Sequence, residues 1–379
     1  VQVDGAGGTR LDILGTGSRL TTGFQLLVGN HAVGSLNVGS GGVLQTGTYL
    51  VAGFDAGSVG TLNVNAGGTI NGTVGLLGTL TGASGTANVT GSGAQWATTN
   101  LGLGGFSEAQ RGGTGILNVG ARGRVQVSDE LKLWTAGSSI AVNGGSLVAG
   151  RLASHGAAGT IDLVADPSGA AALTINGASG ASTFAGTISG AGSLVKSGTA
   201  LQTLAGANTF SGTTTITGGQ IVLGHALALQ NSTVVLGVTN GLNLNGLSDV
   251  TLGNLSGTGS LALGVTQLTV GTNNQSPAAY AGTITGTTAS LNKGGSGTTT
   301  LAGAGSSFRN MVVNAGAIDV TGGSLTLTSE TSDGFSAVIV GGGALNIKGG
   351  ATVNTNASNR SSVFVDGATG PSLVIDGPR

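Results

Sequence analysis

The chain has 379 residues, of which 77 are glycine, 4 are proline and 7 % are charged, against roughly 25 % charged residues in an ordinary globular domain. Its glycine lacks the strict three-residue period of collagen, and 39 % apolar residues are too many for a disordered segment. A net charge of −1 and the absence of cysteine give no basic footprint for nucleic acid, no disulfide framework and no thiol nucleophile.

Thr, Val and Ile favour strands, and Gly and Asn favour tight turns, so the composition predicts an all-β chain of short strands and frequent corners. The chain starts at Val1 without methionine or a signal-peptide pattern, which reads as a mature or excised segment. No stretch reaches the length and apolarity of a membrane helix.

From the N-terminus onward the sequence repeats itself. Gly34-Ser-Leu-Asn-Val-Gly-Ser-Gly-Gly42 returns as Gly60-Thr-Leu-Asn-Val-Asn-Ala-Gly-Gly68, as Gly85-Thr-Ala-Asn-Val-Thr-Gly-Ser-Gly93 and as Gly115-Ile-Leu-Asn-Val-Gly-Ala-Arg-Gly123. The steps from Val38 to Val64, Val89 and Val119 are 26, 25 and 30 residues. The longest step contains residues 104–114, which read as a loop inserted in one coil. Apolar residues alternate at Leu36 and Val38, Leu62 and Val64, Leu173 and Ile175, and Leu268 and Val270. Alternation followed by a Gly/Asn/Ser cluster marks a half-buried strand. Such a strand buries its inner face only if neighbouring coils stack. The prediction is a right-handed parallel β-helix, or β-solenoid, running as one continuous segment over 1–379. Repeats of about 26 residues fill 1–150. Propeller blades are longer and richer in aromatics, and transmembrane barrel strands are about twice this length.

Residues 151–379 carry a second repeat. Leu194-Val-Lys-Ser-Gly-Thr-Ala-Leu-Gln-Thr-Leu-Ala-Gly206 is echoed by Leu291-Asn-Lys-Gly-Gly-Ser-Gly-Thr-Thr-Thr-Leu-Ala-Gly303, and the offset of 97 residues holds through Ile216 and Val313. The run from Gly190 to Gly224 resembles the autotransporter-associated β-strand repeat, with Lys196, Asn208, Phe210 and Gly212 standing where that pattern expects them. The second copy departs from it at Ser306 and at Arg309-Asn310, which predicts a distorted corner there. The resemblance implies a bacterial cell-surface or secreted passenger of type V secretion, with a translocator barrel beyond Arg379.

Motifs for chemistry are sparse. His31, His155 and His225 lie more than 60 residues apart, whereas a metal site needs convergent ligands; they read as surface or corner residues. No Gly-x-Ser-x-Gly elbow occurs. Asp129-Glu130 is the only adjacent acidic pair, and Asp162 and Asp166 lie four apart; these read as solvated turns rather than as the paired carboxylates of a polysaccharide-cleaving enzyme. Neither Lys196 nor Lys293 follows a glycine, so no phosphate loop is formed. Phe184, Phe210, Tyr280 and Phe308 read as core stacks, whereas Phe54, Phe106 and Trp134 adjoin glycine-rich breaks and read as packing, with a ligand platform as the alternative.

No catalytic, cofactor or metal residue is therefore expected. Loops that leave a rigid scaffold carry its binding function. The candidates are 104–114, 164–170, 272–280 and 354–362, with Phe106, Glu108, Gln110 and Arg111 as the leading interaction loop. The expected function is a non-catalytic surface scaffold for adhesion or self-association. Its partners would be host surface or matrix molecules or copies of itself. The alternatives are a subunit of an extracellular fibre and, behind it, a β-helix enzyme acting on polysaccharides.

Overall fold

A computed structural model of the chain describes all residues except 157–158, 165–171, 329–334, 356–361, 367–369 and 377–379. Among the described residues there is no helix, and every pairing between strands is parallel. The all-β, parallel solenoid reading is what the structure shows. The chain forms two compact units, Val1–Gly206 and Ala207–Arg379.

In the first unit each early coil contributes one strand to each of three walls. One coil supplies Gln25–Val28, Val33–Gly39 and Val43–Thr46; the next supplies Tyr49–Ala52, Val59–Val64 and Thr69–Asn71. The register between coils follows the repeats. Val38 pairs with Val64, Val64 with Val89, and Val89 with Val119. Leu36, Val38, Leu62, Val64, Leu117 and Val119 are fully buried, so the alternation turns one side chain of every two into a shared column. Later coils compress the plan: Arg124–Leu133 passes a corner without ending, and its register shifts between Val127 and Glu130. The pair Asp129-Glu130 thus lies on a bulged strand instead of the expected solvated turn.

The corners show why glycine is so abundant. Gly53 follows Tyr49–Ala52 with φ of +70°, and a Cβ there would lie 2.1 Å from the carbonyl oxygen of Ser84 in the next coil. Both the left-handed backbone and the close approach of the neighbouring coil demand a residue without a side chain.

The second unit winds with longer strands, including Leu229–Leu236, Asp249–Gly257, Ile284–Lys293, Ser306–Thr321 and Phe335–Lys348. Several of them turn corners through register shifts, as at Gly286/Ser290 and Val313/Ala315. Phe210, Tyr280 and Phe308 fill its interior, as Phe184 and Trp96 do in the first unit. The two copies of the second repeat part company where their sequences do. Asn208 lies outside strands and donates to the carbonyl of Ala228 at 3.0 Å. Ser306 instead opens the strand Ser306–Thr321, and its hydroxyl accepts the Ile284 amide at 3.1 Å.

Two lysines point into the cores. Lys196 and Lys293 have no exposed surface, and their ammonium groups bind carbonyl oxygens of the corner that follows each of them. Lys196 donates to Ser197 and Gly198 at 2.9 and 3.0 Å. Lys293 donates to Gly294, to Gly295 at 2.8 Å and to Ala315 at 3.4 Å. Burial lowers the pKa of both, that of Lys293 from 10.5 to about 8. A buried ammonium is tolerated where carbonyl dipoles replace its water.

Candidate interaction surface

Within the first unit, two outer surfaces depart from a plain polar exterior. One is a row of asparagines. Asn37, Asn63, Asn88 and Asn118 occupy the same outward position of successive repeats. Each side-chain amide donates to the oxygen of the preceding one: Asn118 to Asn88 at 2.8 Å, Asn88 to Asn63 at 2.9 Å, and Asn63 to Asn37 at 2.8 Å. The row ends on Asp12, which accepts from Asn37 at 2.7 Å and from Arg10 Nε at 2.8 Å. Arg10 first and Asn37 second hold the Asp12 carboxyl below its usual range.

The other surface is apolar and lies on the wall formed by Gln25–Val28, Tyr49–Ala52, Val74–Leu77 and Asn100–Leu103. These strands carry near-continuous apolar runs, Leu-Leu-Val, Tyr-Leu-Val-Ala and Val-Gly-Leu-Leu, the pattern of a strand covered on both faces. Leu26, Leu50 and Leu101 line the interior, and Leu27, Val51 and Leu76 alternate with them onto the outer face. There they are only 6 %, 3 % and 5 % exposed, because Tyr49, Phe54 and Val74 pack over them. Phe24 stands edge-on to Tyr49, and Tyr49 edge-on to Phe106, with ring centroids 5.9 Å apart in both pairs. Phe24 and Phe106 remain 60 % and 41 % exposed. The result is a strip of aromatic rings crossing several coils.

The inserted loop closes one end of this strip. Its neck is an antiparallel bridge between Gly105 and Arg111, and the Phe106 amide donates to the Gln110 carbonyl at 2.7 Å. Glu108 lies 3.3 Å from Arg111 and 3.2 Å from His155 Nδ1, which ties the loop to a later coil. His155 in turn stacks on Trp134, with centroids 6.0 Å apart, and Lys132 Nζ lies 3.7 Å from the Trp134 ring centre. Between loop and wall is a cleft of about 160 Å³ lined by Val74, Leu76, Asn100, Phe106, Glu130, Lys132 and Trp134. Arg151 holds the far side of this region, 2.6 Å from Asp129 and 3.8 Å from Glu130.

Of the sequence-derived loop residues, Phe106 enters the cleft, Glu108 and Arg111 form its outer tether, and Gln110 contributes its backbone. Trp134, Lys132, Glu130 and Asn100 complete the cleft from strands or strand ends; of these the sequence points only to Trp134, as the alternative platform. The 272–280 segment lies down on its neighbours rather than projecting. Thr272 donates to the Gln230 carbonyl at 2.7 Å, Asn273 to Thr233 at 2.8 Å, and the Asn254 amide to the Gln275 carbonyl at 2.9 Å. The candidate loops 164–170 and 354–362, and Asp166, fall largely or wholly outside the described residues.

The other histidines have local partners: His31 pairs with Asp55 at 2.6 Å, and His225 Nδ1 accepts the Leu227 amide at 3.0 Å. Among the described residues no group of three His, Cys, Asp or Glu side chains could hold a metal ion.

Fold and surface together define a class, a parallel β-solenoid with an outward aromatic cleft. No family model matches the chain, and no curated protein matches it. Among solved structures, that of a TibA fragment hyper-glycosylated by TibC is similar at 17 % identity. The match covers 95 % of this chain and 100 % of that one, with a TM-score of 0.31.

Proposed function

We propose that this chain is a non-catalytic binding scaffold of a bacterial cell surface, an autotransporter-type passenger that acts as an adhesin toward host surface or matrix molecules. The observation that carries the reading is the aromatic strip. A solenoid wall needs apolar residues only on its inner face, yet here Tyr49 and Phe54 pack on the outside over Leu27, Val51 and Leu76, with Phe24 and Phe106 edge-on to Tyr49. Exposed apolar patches of this kind mark interaction sites, and aromatic residues supply much of the energy of such contacts. The near-zero net charge lets a surface approach without strong repulsion. The resemblance of the Gly190–Gly224 run to passenger repeats supports the location.

The test is adhesion of beads coated with the full chain to epithelial cells and to immobilised matrix, compared with beads carrying Phe24→Ser, Tyr49→Ser and Phe106→Ser together. At least a five-fold loss of bound beads is expected, about 1 kcal/mol or more of lost contact energy. Equal adhesion by both coatings, with both chains folded, would remove the basis for the reading.

A further inference from the structure

The cleft beside Phe106 has a narrower chemistry than the strip around it, and we propose that it takes one neutral pyranose ring of a glycan. This rests on the reading of the aromatic face as the binding surface and names its ligand class.

Size comes first. About 160 Å³ is well below the roughly 300–1,000 Å³ of sites for drug-sized ligands. A cleft of this size, open on one side, matches a single six-membered ring seated against its wall.

The lining then divides by polarity. Val74, Leu76 and Phe106 make an apolar side, which matches the C–H face of a pyranose. Asn100, Glu130, Lys132 and Trp134 make a polar side that offers both donors and acceptors, as hydroxyl groups require. Part of that capacity is unused. Asn100 Oδ1 accepts the Glu130 amide at 3.3 Å, but its Nδ2 donates to no described residue. The Trp134 ring is engaged by Lys132 and His155, while its Nε1–H likewise donates to none. That nitrogen stands 3.5 Å from the point where a Cβ on Gly102, another lining residue, would sit. It therefore lies beside the cleft wall at Gly102.

Charge selects for neutrality. Around the cleft the carboxylates of Glu108, Asp129 and Glu130 face the cations of Arg111, Lys132 and Arg151, paired as Glu108–Arg111, Asp129–Arg151 and Glu130–Arg151, with Lys132 on the indole. Three negative and three positive groups cancel. An anionic sugar would meet Glu130, and a cationic group would meet Lys132. An apolar side chain from a second copy would bury the Asn100 and Trp134 donors without partners, which is costly.

The experiment titrates the full chain with the methyl glycosides of glucose, galactose, mannose and N-acetylglucosamine. It is followed by saturation-transfer NMR and by tryptophan fluorescence. Trp134 lines the cleft while Trp96 is only 1 % exposed, and a response that Trp134→Phe abolishes reports on the cleft. At least one glycoside is expected to bind saturably, with transfer strongest to its ring C–H protons. Phe106→Ala and Asn100→Ala should each weaken binding about tenfold, close to 1.4 kcal/mol, in chains that circular dichroism shows to remain folded. No saturable binding by any of the four, or binding indifferent to both substitutions, overturns the proposal. So does a concentration-dependent dimer that Phe106→Ala abolishes and no glycoside disturbs, because the cleft then holds a second copy.

The outcomes also separate this inference from the broader reading. Beads that adhere to cells in a Phe106-dependent way, but are not competed by any glycoside, sink the sugar and leave the adhesive face standing. Glycoside binding by a chain whose beads do not adhere sinks the adhesin and leaves the sugar site.

Discussion

Replacing Lys293 by methionine tests how the second unit tolerates a charge in its core. In the folded chain burial holds this lysine near 8 instead of 10.5, while the carbonyls of Gly294, Gly295 and Ala315 keep the ammonium bound at neutral pH. Below pH 8 both folded and unfolded chains carry the proton, and folding bears the full cost of burying it. Between about 8 and 10.5 the folded chain has shed the proton and the unfolded chain has not, so the unfolded state binds more protons and stability rises with pH. The full interval corresponds to roughly 3 kcal/mol, of which about 2 kcal/mol is reached by pH 9.5. The window should stop below pH 10, because Tyr280 is buried and its raised pKa makes stability fall once an unfolded tyrosine ionises. Urea unfolding followed by circular dichroism at intervals from pH 7 to pH 9.5 should show the rise in the native chain. Lys293→Met should reduce it, leaving the part that the buried Lys196, whose pKa is also lowered, contributes. At pH 7 the substitution relieves the burial cost but orphans carbonyl groups at about 1–3 kcal/mol each, so the variant is expected to be no more stable there. An undiminished slope in Lys293→Met would refute the assignment of the pH dependence to this buried amine.

Further substitutions probe the first unit. Asn63→Ala interrupts the amide row and leaves Asn37 Oδ1 and Asn88 Nδ2 to water, which should cost about 1 kcal/mol in urea unfolding. Asn63→Asp should cost more, because it places a carboxylate oxygen against the Asn37 oxygen. A Cβ on Gly60 would lie 2.2 Å from both Gly53 N and the Val28 carbonyl oxygen. Gly60→Ala should therefore destabilise by about 3 kcal/mol or more. Gly7→Ala, where nothing lies within 4 Å, should stay within about 0.5 kcal/mol of the parent chain, as thermal or urea unfolding would show.

The winding was legible because it depends on spacing, which a sequence displays directly. Val38, Val64, Val89 and Val119 stack as their intervals require, and the five extra residues before Val119 appear as the 104–114 loop. The asparagine row was equally visible as an Asn before each of these valines, but its hydrogen bonding follows only once the coils are known to be in register. The outer apolar strip was harder to read. Leu26-Leu27-Val28 and Leu50-Val51-Ala52 are short continuous runs, and periodicity alone does not say that both faces are covered. The cleft joins Val74 to Trp134 across three coils, so no local motif announces it. The core lysines went unread because hydropathy assigns lysine to the surface. What places them inside is a geometric coincidence of corner carbonyls with the reach of a four-carbon stem.

The amide row has a direction: every Nδ2 points toward the coil before it, and the series runs out at a carboxylate. Its members are therefore interchangeable in a way that core side chains of different shapes are not. A coil duplicated in frame would arrive with one donor and one acceptor already matched to those on either side, so the row could grow without a new terminus. It would stop only where a copy lost its amide, as it does at Ala141 opposite Asn118. Such a surface makes lengthening by gene duplication nearly free of structural penalty, while the Asp12 end stays fixed as the single place where the series is anchored.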